Sequence, residues 1–201
     1  MTGGTGGGRA PRAVLLDLDG TLVDTFPDLI AALNHALAEA GLAPAGDTAL
    51  RALVSHGAGA MLDAALAGRL QRAARDRLLA RFLARYESEV AARSRLVPGM
   101  DAVLDALEAH AVPWGIVTSK LARFTVPLVR ALALDARAAC VVSGDSTARG
   151  KPHPDPLLHA CARLGIAPAR CVYVGDARAD VDAGRAAGLG TVVAAFGYLA
   201  P

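Results

Sequence analysis

Aromatic residues are scarce, at 4% of the 201-residue chain, and cysteine is scarcer still. The three thiols, Cys140, Cys161 and Cys171, show no C-x-x-C spacing, which argues against both a disulfide framework and a cysteine metal site and fits a reducing compartment. Charge of one sign is also lacking. Lys plus Arg number 21 and Asp plus Glu 19, so the formal net charge is +2, too small to favour nucleic acid or a membrane surface as partner. No apolar run is long enough to form a transmembrane helix. The opening "MTGGTGGGRAPR" contains no apolar core of a secretory signal and reads as a glycine-rich tail over residues 1–12. The five histidines lack metal-ligand spacing. Together these absences make a soluble cytoplasmic protein the default expectation.

What is present is apolar. Hydrophobic residues make up 53% of the chain, enough for a large core. Unalternating runs recur at "AVLLD" (13–17), "WGIVT" (114–118), "ACVVS" (139–143), "CVYVG" (171–175) and "TVVAA" (191–195). Runs of this kind suit strands buried on both faces, and the later ones alternate with amphipathic segments. The pattern is that of an α/β fold with a doubly wound parallel sheet. Pro98-Gly99 opens a further helix, with Met100, Val103, Leu104 and Leu107 at helical spacing. Residues 28–93 hold no strand candidate. Leu29, Ile30, Leu33 and Leu37 mark one helical face, and Leu78, Leu79, Phe82 and Tyr86 another, so this span reads as an inserted helical cap. The core is then expected to comprise residues 13–27 and 94–201.

Ligands of open parallel sheets bind beyond the carboxyl ends of the strands. Asp17 ends the first run, Thr118 the second, Lys151 lies in the loop after the third, and Asp176 follows the fourth in "VGDARAD". If these strands share one sheet, Asp17, Asp19, Asp176 and Asp180 crowd one rim. Such a cluster calls for a hard divalent cation, and Mg2+ suits an oxygen-only site shared with a phosphate. A single Asp after a strand is commonly no more than a helix cap or turn former, and Asp180 alone would serve a helix dipole. Four acids at matching strand ends, together with a Lys and a Thr, favour the metal.

These residues carry a resemblance. "DLDGT", "GIVTSK", the Lys of "KPHPDP" and "VGDARAD" occur in the order of the four motifs of haloacid dehalogenase-superfamily phosphatases, and the chain is similar to the phosphoglycolate phosphatases among them from Arg12 onward, including the cap segment "VSHGAGAML". The resemblance implies that Asp17 attacks phosphorus to form an aspartyl-phosphate and that Asp19 protonates the leaving oxygen and then activates water. Thr118 would donate to the phosphoryl group, with Ser119 offering its N–H, and Lys151 would neutralise charge. Gly20 is implied at the phosphate-binding turn. Asp17, the Asp19 carbonyl and Asp176 would hold Mg2+, with Asp180 close by. His56 in the cap is the candidate contact for a substrate carboxylate, and Arg123 a further possible anion contact.

By the same resemblance, the expected reaction is conversion of 2-phosphoglycolate to glycolate and phosphate. An N-acetylmuramate 6-phosphate phosphatase and a sugar-phosphate phosphatase or mutase are the alternatives within the class. A non-catalytic binding or regulatory module with the same fold is the alternative outside it. The sequence departs from the family pattern at Ser119, where relatives often carry Asn, and at Ala177, where many carry Asp or Ser. Relatives also continue past "FGYLAP" with another strand and helix, so an uncovered sheet edge is expected, in a monomer or homodimer. "GDSTARGKP" (144–152) is not a P-loop, because it has five residues between its glycines and Pro152 stands in the Mg2+-binding position. "GGTGGG" (3–8) follows no strand and is not a dinucleotide-binding turn.

Overall fold

The computed structural model describes residues 10–199, so most of the glycine-rich tail, including "GGTGGG", lies outside the described residues. Five strands, β1 (Ala13–Leu16), β4 (Trp114–Val117), β5 (Cys140–Val142), β6 (Cys171–Gly175) and β7 (Gly190–Val193), form one sheet in the order β5-β4-β1-β6-β7, and every pairing is parallel. Each coincides, within a residue or two, with one of the five apolar runs. The pleat sends alternate side chains to opposite faces. Val14, Leu16, Trp114 and Ile116 enter one apolar cluster, while Ala13, Leu15, Val117 and Tyr173 enter the other. Both faces are covered over the inner strands β1 and β4, which is why their runs show no polar alternation.

Helices follow the strands: α5 (Met100–Ala109), α6 (Ala122–Ala131), α7 (Asp155–Leu164) and α8 (Arg178–Ala186). In α5, Met100 and Leu104 are buried as the spacing predicts, whereas Val103 is 44% exposed and turns to solvent. At the β7 edge, Val192 and Val193 are about half exposed, at 52% and 50%.

The span between β1 and α5 is helical, with α1 (Phe26–Glu39), α2 (Asp47–Arg51), α3 (Ala58–Leu66) and α4 (Arg72–Ser88), and a 3-10 turn at Val54–His56. Pro27 starts α1 without wasting a helical N–H. The apolar stripes of α1 and α4 face each other. Leu29, Leu33, Leu37, Leu78, Phe82 and Tyr86 are all buried, each contributing on the order of 1.5–3 kcal/mol. Their cluster is continuous with one face of the sheet through Leu16, Leu18 and Trp114.

Two short features tie the helical insert to the sheet, and neither is visible in the residue pattern. β2 (Val23–Asp24) pairs antiparallel with β3 (Arg95–Leu96), joining the chain as it leaves and re-enters the core. Two-residue strands are too short to show a period. Buried Asp28 accepts hydrogen bonds from the N–H groups of Arg93 and Ser94, both at 2.8 Å, and from the Ser94 hydroxyl at 2.6 Å. A carboxylate at the start of α1 thus fixes the far end of the insert.

Candidate active site

β1 is the central strand, with β4 on one side and β6 on the other, so the residues leaving these three strands share one rim. Backbone bonds extend the ladder past the strand ends. The Asp17 N–H donates to the Val174 carbonyl at 2.8 Å and the Thr118 N–H to the Val142 carbonyl at 2.9 Å. This fixes Asp17 beside the segment that carries Asp176. Suitably chosen carboxylate oxygens of Asp17, Asp176 and Asp180 lie within 4.8 Å of one another, and the three residues are 6%, 2% and 2% exposed.

Lys151 is the counter-charge, on a side chain 3% exposed. Its Nζ donates to Asp17 Oδ1 at 2.9 Å, to Asp180 Oδ1 at 2.6 Å and to the Tyr173 hydroxyl at 2.8 Å. The loop that resembled a P-loop therefore delivers a lysine rather than a phosphate cradle. Asp180 Oδ2 accepts the Ala177 N–H at 2.9 Å, so this carboxylate caps α8 and orients Lys151 at once. It can fold back because Gly175 leaves room, since a Cβ there would overlap the Asp180 side chain. Asp176 accepts from the Thr21 hydroxyl at 3.3 Å and from the Tyr198 N–H at 2.6 Å.

Charge at this rim is unbalanced, with three carboxylates against one ammonium. Burial is the main force lifting the Asp17 carboxyl to about 7; Lys151 opposes the rise, and Asp180 and Asp19 add to it. Burial also raises Asp176, against the Tyr198 N–H, with Asp180 adding to the rise. Burial works against the charge on Lys151, but Asp17 and Asp180 outweigh it and its pKa is raised. A hard divalent cation fits this all-oxygen donor set, because its charge supplies what one lysine leaves uncompensated.

Asp19 is set apart from the other acids. Its carboxylate accepts from the Thr25 hydroxyl and, at 3.0 Å, from Lys120 Nζ, which also donates to the Tyr86 hydroxyl at 3.0 Å. Three acids rather than the expected four share the tight cluster. The Asp19 carboxylate is engaged instead by Thr25 and Lys120. Gly20 itself is not among the cleft-lining residues, unlike the expectation for a phosphate-binding turn. Its Cα faces inward, where a Cβ would come 2.5 Å from Asp176 Oδ2 and 2.7 Å from the Tyr198 ring.

Above the rim lies a cleft of about 250 Å3, walled below by Asp17, Asp19, Thr118, Ser119, Lys120, Lys151 and Asp180. The insert closes it from above with Leu29, Val54, Ser55, His56 and Gly57. Buried Thr118 accepts the Lys120 N–H on its hydroxyl oxygen at 3.1 Å, which leaves the hydroxyl proton free for a ligand. His56 is exposed at the cap side of the cleft. Arg123 is not part of the lining: its guanidinium stacks over Phe124 and lies 4.0 Å from Glu87. Ala177 lines the cleft and supplies only its backbone N–H to Asp180.

Sequence reasoning missed the supporting residues. Tyr173 stands alone as a polar-tipped residue in the apolar run "CVYVG", a signal that was available. Its hydroxyl lies 2.8 Å from the Val117 carbonyl and 3.0 Å from Asp180. Thr25 and Tyr198 had no motif to mark them, and Tyr86 was marked only as part of an apolar helical face.

Comparison with known proteins agrees with this architecture. The chain is 45% identical over 190 residues to a phosphoglycolate phosphatase of Xanthomonas campestris pv. campestris (strain 8004), covering 94% of this chain and 86% of that one. It is 40% identical over 190 residues to an N-acetylmuramic acid 6-phosphate phosphatase of Pseudomonas putida, covering 94% and 85%. Among solved structures, a protein from Haemophilus somnus 129PT, described as a predicted phosphoglycolate phosphatase, superposes with a TM-score of 0.85 at 28% identity, covering 94% of this chain and 87% of that one. The model of the haloacid dehalogenase-like hydrolase family matches residues 14–194. The chain belongs to the haloacid dehalogenase-like hydrolases.

Proposed function

We propose that the protein is a Mg2+-dependent phosphomonoesterase that passes the phosphoryl group through Asp17, and that residues 28–93 act as a cap over a core of residues 13–27 and 94–201. The observation that carries this reading is the buried carboxylate cluster with Lys151 at the floor of a cleft, beside a threonine hydroxyl with a free proton. Asp17, the Asp19 carbonyl and Asp176 would hold the metal, which supplies positive charge to the phosphoryl oxygens and to the Asp17 carboxylate.

The chain's own groups do the rest. Lys151 holds Asp17 Oδ1 and fixes the carboxylate's orientation toward an incoming phosphorus. Asp17 attacks, forming a P–O bond as the bond to the substrate's ester oxygen breaks. Asp19, held by Lys120 and Thr25, enters the first step as the protonated acid and gives that proton to the departing alkoxide; the carboxylate so formed then takes one from the water that attacks the aspartyl-phosphate, which regenerates the acid. Thr118 and the Ser119 N–H stabilise the phosphoryl oxygens. Phosphoryl transfer asks mainly for positioning and charge, and these groups together with the metal would supply both.

The substrate is read from the roof. The cleft of about 250 Å3 accommodates a phosphate with a small organic group beside it, under a roof that carries His56 and Ser55. The relative from Xanthomonas campestris makes 2-phosphoglycolate the first reading, with its carboxylate at His56 and Ser55. The relative from Pseudomonas putida keeps N-acetylmuramate 6-phosphate as the second reading. With no helix among the described residues long and apolar enough to cross a membrane, a cytoplasmic enzyme acting on small metabolites is the setting we infer.

The test is phosphate release from 2-phosphoglycolate, N-acetylmuramate 6-phosphate and a panel of sugar phosphates, with Mg2+ and with EDTA, scored by kcat/KM. The reading expects Mg2+-dependent release with 2-phosphoglycolate preferred. Phosphate returned to a product sugar would mark a mutase, and no turnover on any substrate would mark a binding module.

A further inference from the structure

The segment after β7 reaches back to the rim and touches it twice. The Tyr198 N–H donates to Asp176 Oδ2 at 2.6 Å. The Tyr198 hydroxyl accepts the N–H groups of Thr25 at 2.8 Å and Phe26 at 3.0 Å and donates to Asp24 Oδ1 at 2.6 Å. It thereby caps α1, whose own N-cap residue, Thr25, makes no side-chain cap bond. The Thr25 hydroxyl in turn donates to the Asp19 carboxylate.

The geometry points to Tyr198 as a positioning residue for both acids. Its backbone holds the metal-ligand carboxylate of Asp176, and its hydroxyl, through Thr25, holds the proton-carrying carboxylate of Asp19. The inference rests on the roles given to Asp176 and Asp19 above.

The surroundings support this arrangement. Tyr198 is 5% exposed; its ring packs edge-on to Phe26, and the Arg51 guanidinium of α2 lies 4.9 Å from its centroid. Arg51 also pairs with Asp24 at 2.9 Å, so an insert residue covers the same junction. Burial, and then the bond to Asp24, push the phenol pKa up, so the hydroxyl stays a neutral donor and acceptor. Close fit does the remainder. A Cβ on Gly197 would overlap Asp176 Cβ and stand 2.6 Å from Oδ2, and a Cβ on Gly20 would meet both Asp176 and the Tyr198 ring. Nothing larger than glycine fits at either place without moving the carboxylate.

The two contacts can be separated. Tyr198→Phe removes the hydroxyl but keeps the ring and the N–H, so calorimetric Mg2+ affinity should stay at the wild-type value while kcat falls about tenfold or more, with KM little changed. Gly197→Ala leaves the hydroxyl in place and crowds Asp176, so the Mg2+ dissociation constant, read by calorimetry without substrate, should rise about tenfold or more. Thr25→Val should lower kcat as Tyr198→Phe does, and the double variant should be no slower than Thr25→Val alone, because both act on Asp19 through one path. A Tyr198 with a merely structural role would lower kcat by the same factor in either background, which would overturn the inference. So would wild-type kcat in Tyr198→Phe or wild-type Mg2+ affinity in Gly197→Ala, when the wild-type protein binds Mg2+ and turns over. Wild-type protein that neither binds Mg2+ nor releases phosphate would overturn the functional reading itself, and this inference with it.

Discussion

Asp17→Asn is expected to reduce phosphate release at least about a thousandfold, a loss of some 4 kcal/mol of transition-state stabilisation. The amide is isosteric, and its oxygen can still accept from Lys151, which donates to Asp17 Oδ1 at 2.9 Å in the native protein. The fold and melting temperature should therefore change little. What is lost is a carboxylate able to form the bond to phosphorus, and no neighbour can replace it. Asp180 has one oxygen bound by Lys151 and Tyr173 and the other by the Ala177 N–H, while Asp176 is held beneath by Thr21 and Tyr198. Asp19 is turned toward Thr25 and Lys120. Turnover within tenfold of the native rate in this variant would show that the attacking group lies elsewhere.

Lys151→Met should affect both activity and stability. The methionine side chain approximates the lysine stem, but Asp17 and Asp180 lose their shared ammonium in a site where each is 6% exposed or less. Removing one partner of a buried ionic group commonly destabilises a protein by about 3–5 kcal/mol, because the remaining charge is uncompensated. Urea unfolding should show a loss of that order, alongside turnover lowered by about two orders of magnitude or more. Adding Asp180→Asn should restore part of the stability by removing one of the two orphaned carboxylates, yet leave turnover low. Stability and catalysis would then part company. If the double variant regained activity as well, Lys151 would be a structural counter-ion and no part of the chemistry.

The sheet was legible because its inner strands are buried on two faces and so advertise themselves as unbroken apolar runs, while the edge strand β7 carries the same kind of run although Val192 and Val193 are half exposed. That argument also fixed which residues leave the strands at the same rim, so the meeting of Asp17, Thr118, Lys151 and Asp176 could be anticipated from spacing. Asp19 shows the limit of that reasoning. It is two residues from Asp17 and lines the same cleft, but its carboxylate is bound by Thr25 and Lys120 rather than joining the cluster of Asp17, Asp176 and Asp180, and spacing alone cannot give a side chain's partners. Lys120, Tyr86, Thr25 and Tyr198 were illegible for a different reason. Tyr198 touches Thr25 across 173 positions and Lys120 touches Tyr86 across 34, and long-range pairing leaves no periodic trace; Thr25 reaches Asp19 across only six, through a hydroxyl that no motif marks. The β2–β3 ladder failed to show because two residues make no pattern. His56 lines the cleft, and Arg123, read from the same kind of proximity argument, faces Glu87 instead.

The central claim is that a carboxylate of this chain carries the phosphoryl group between substrate and water. It is tested most directly by the stereochemistry at phosphorus, using a substrate made chiral with oxygen isotopes and thiophosphate or an equivalent label. Two successive in-line displacements, first on Asp17 and then by water, give overall retention, and that is the result predicted. Overall inversion would mean that water attacks the substrate directly, and would contradict the account.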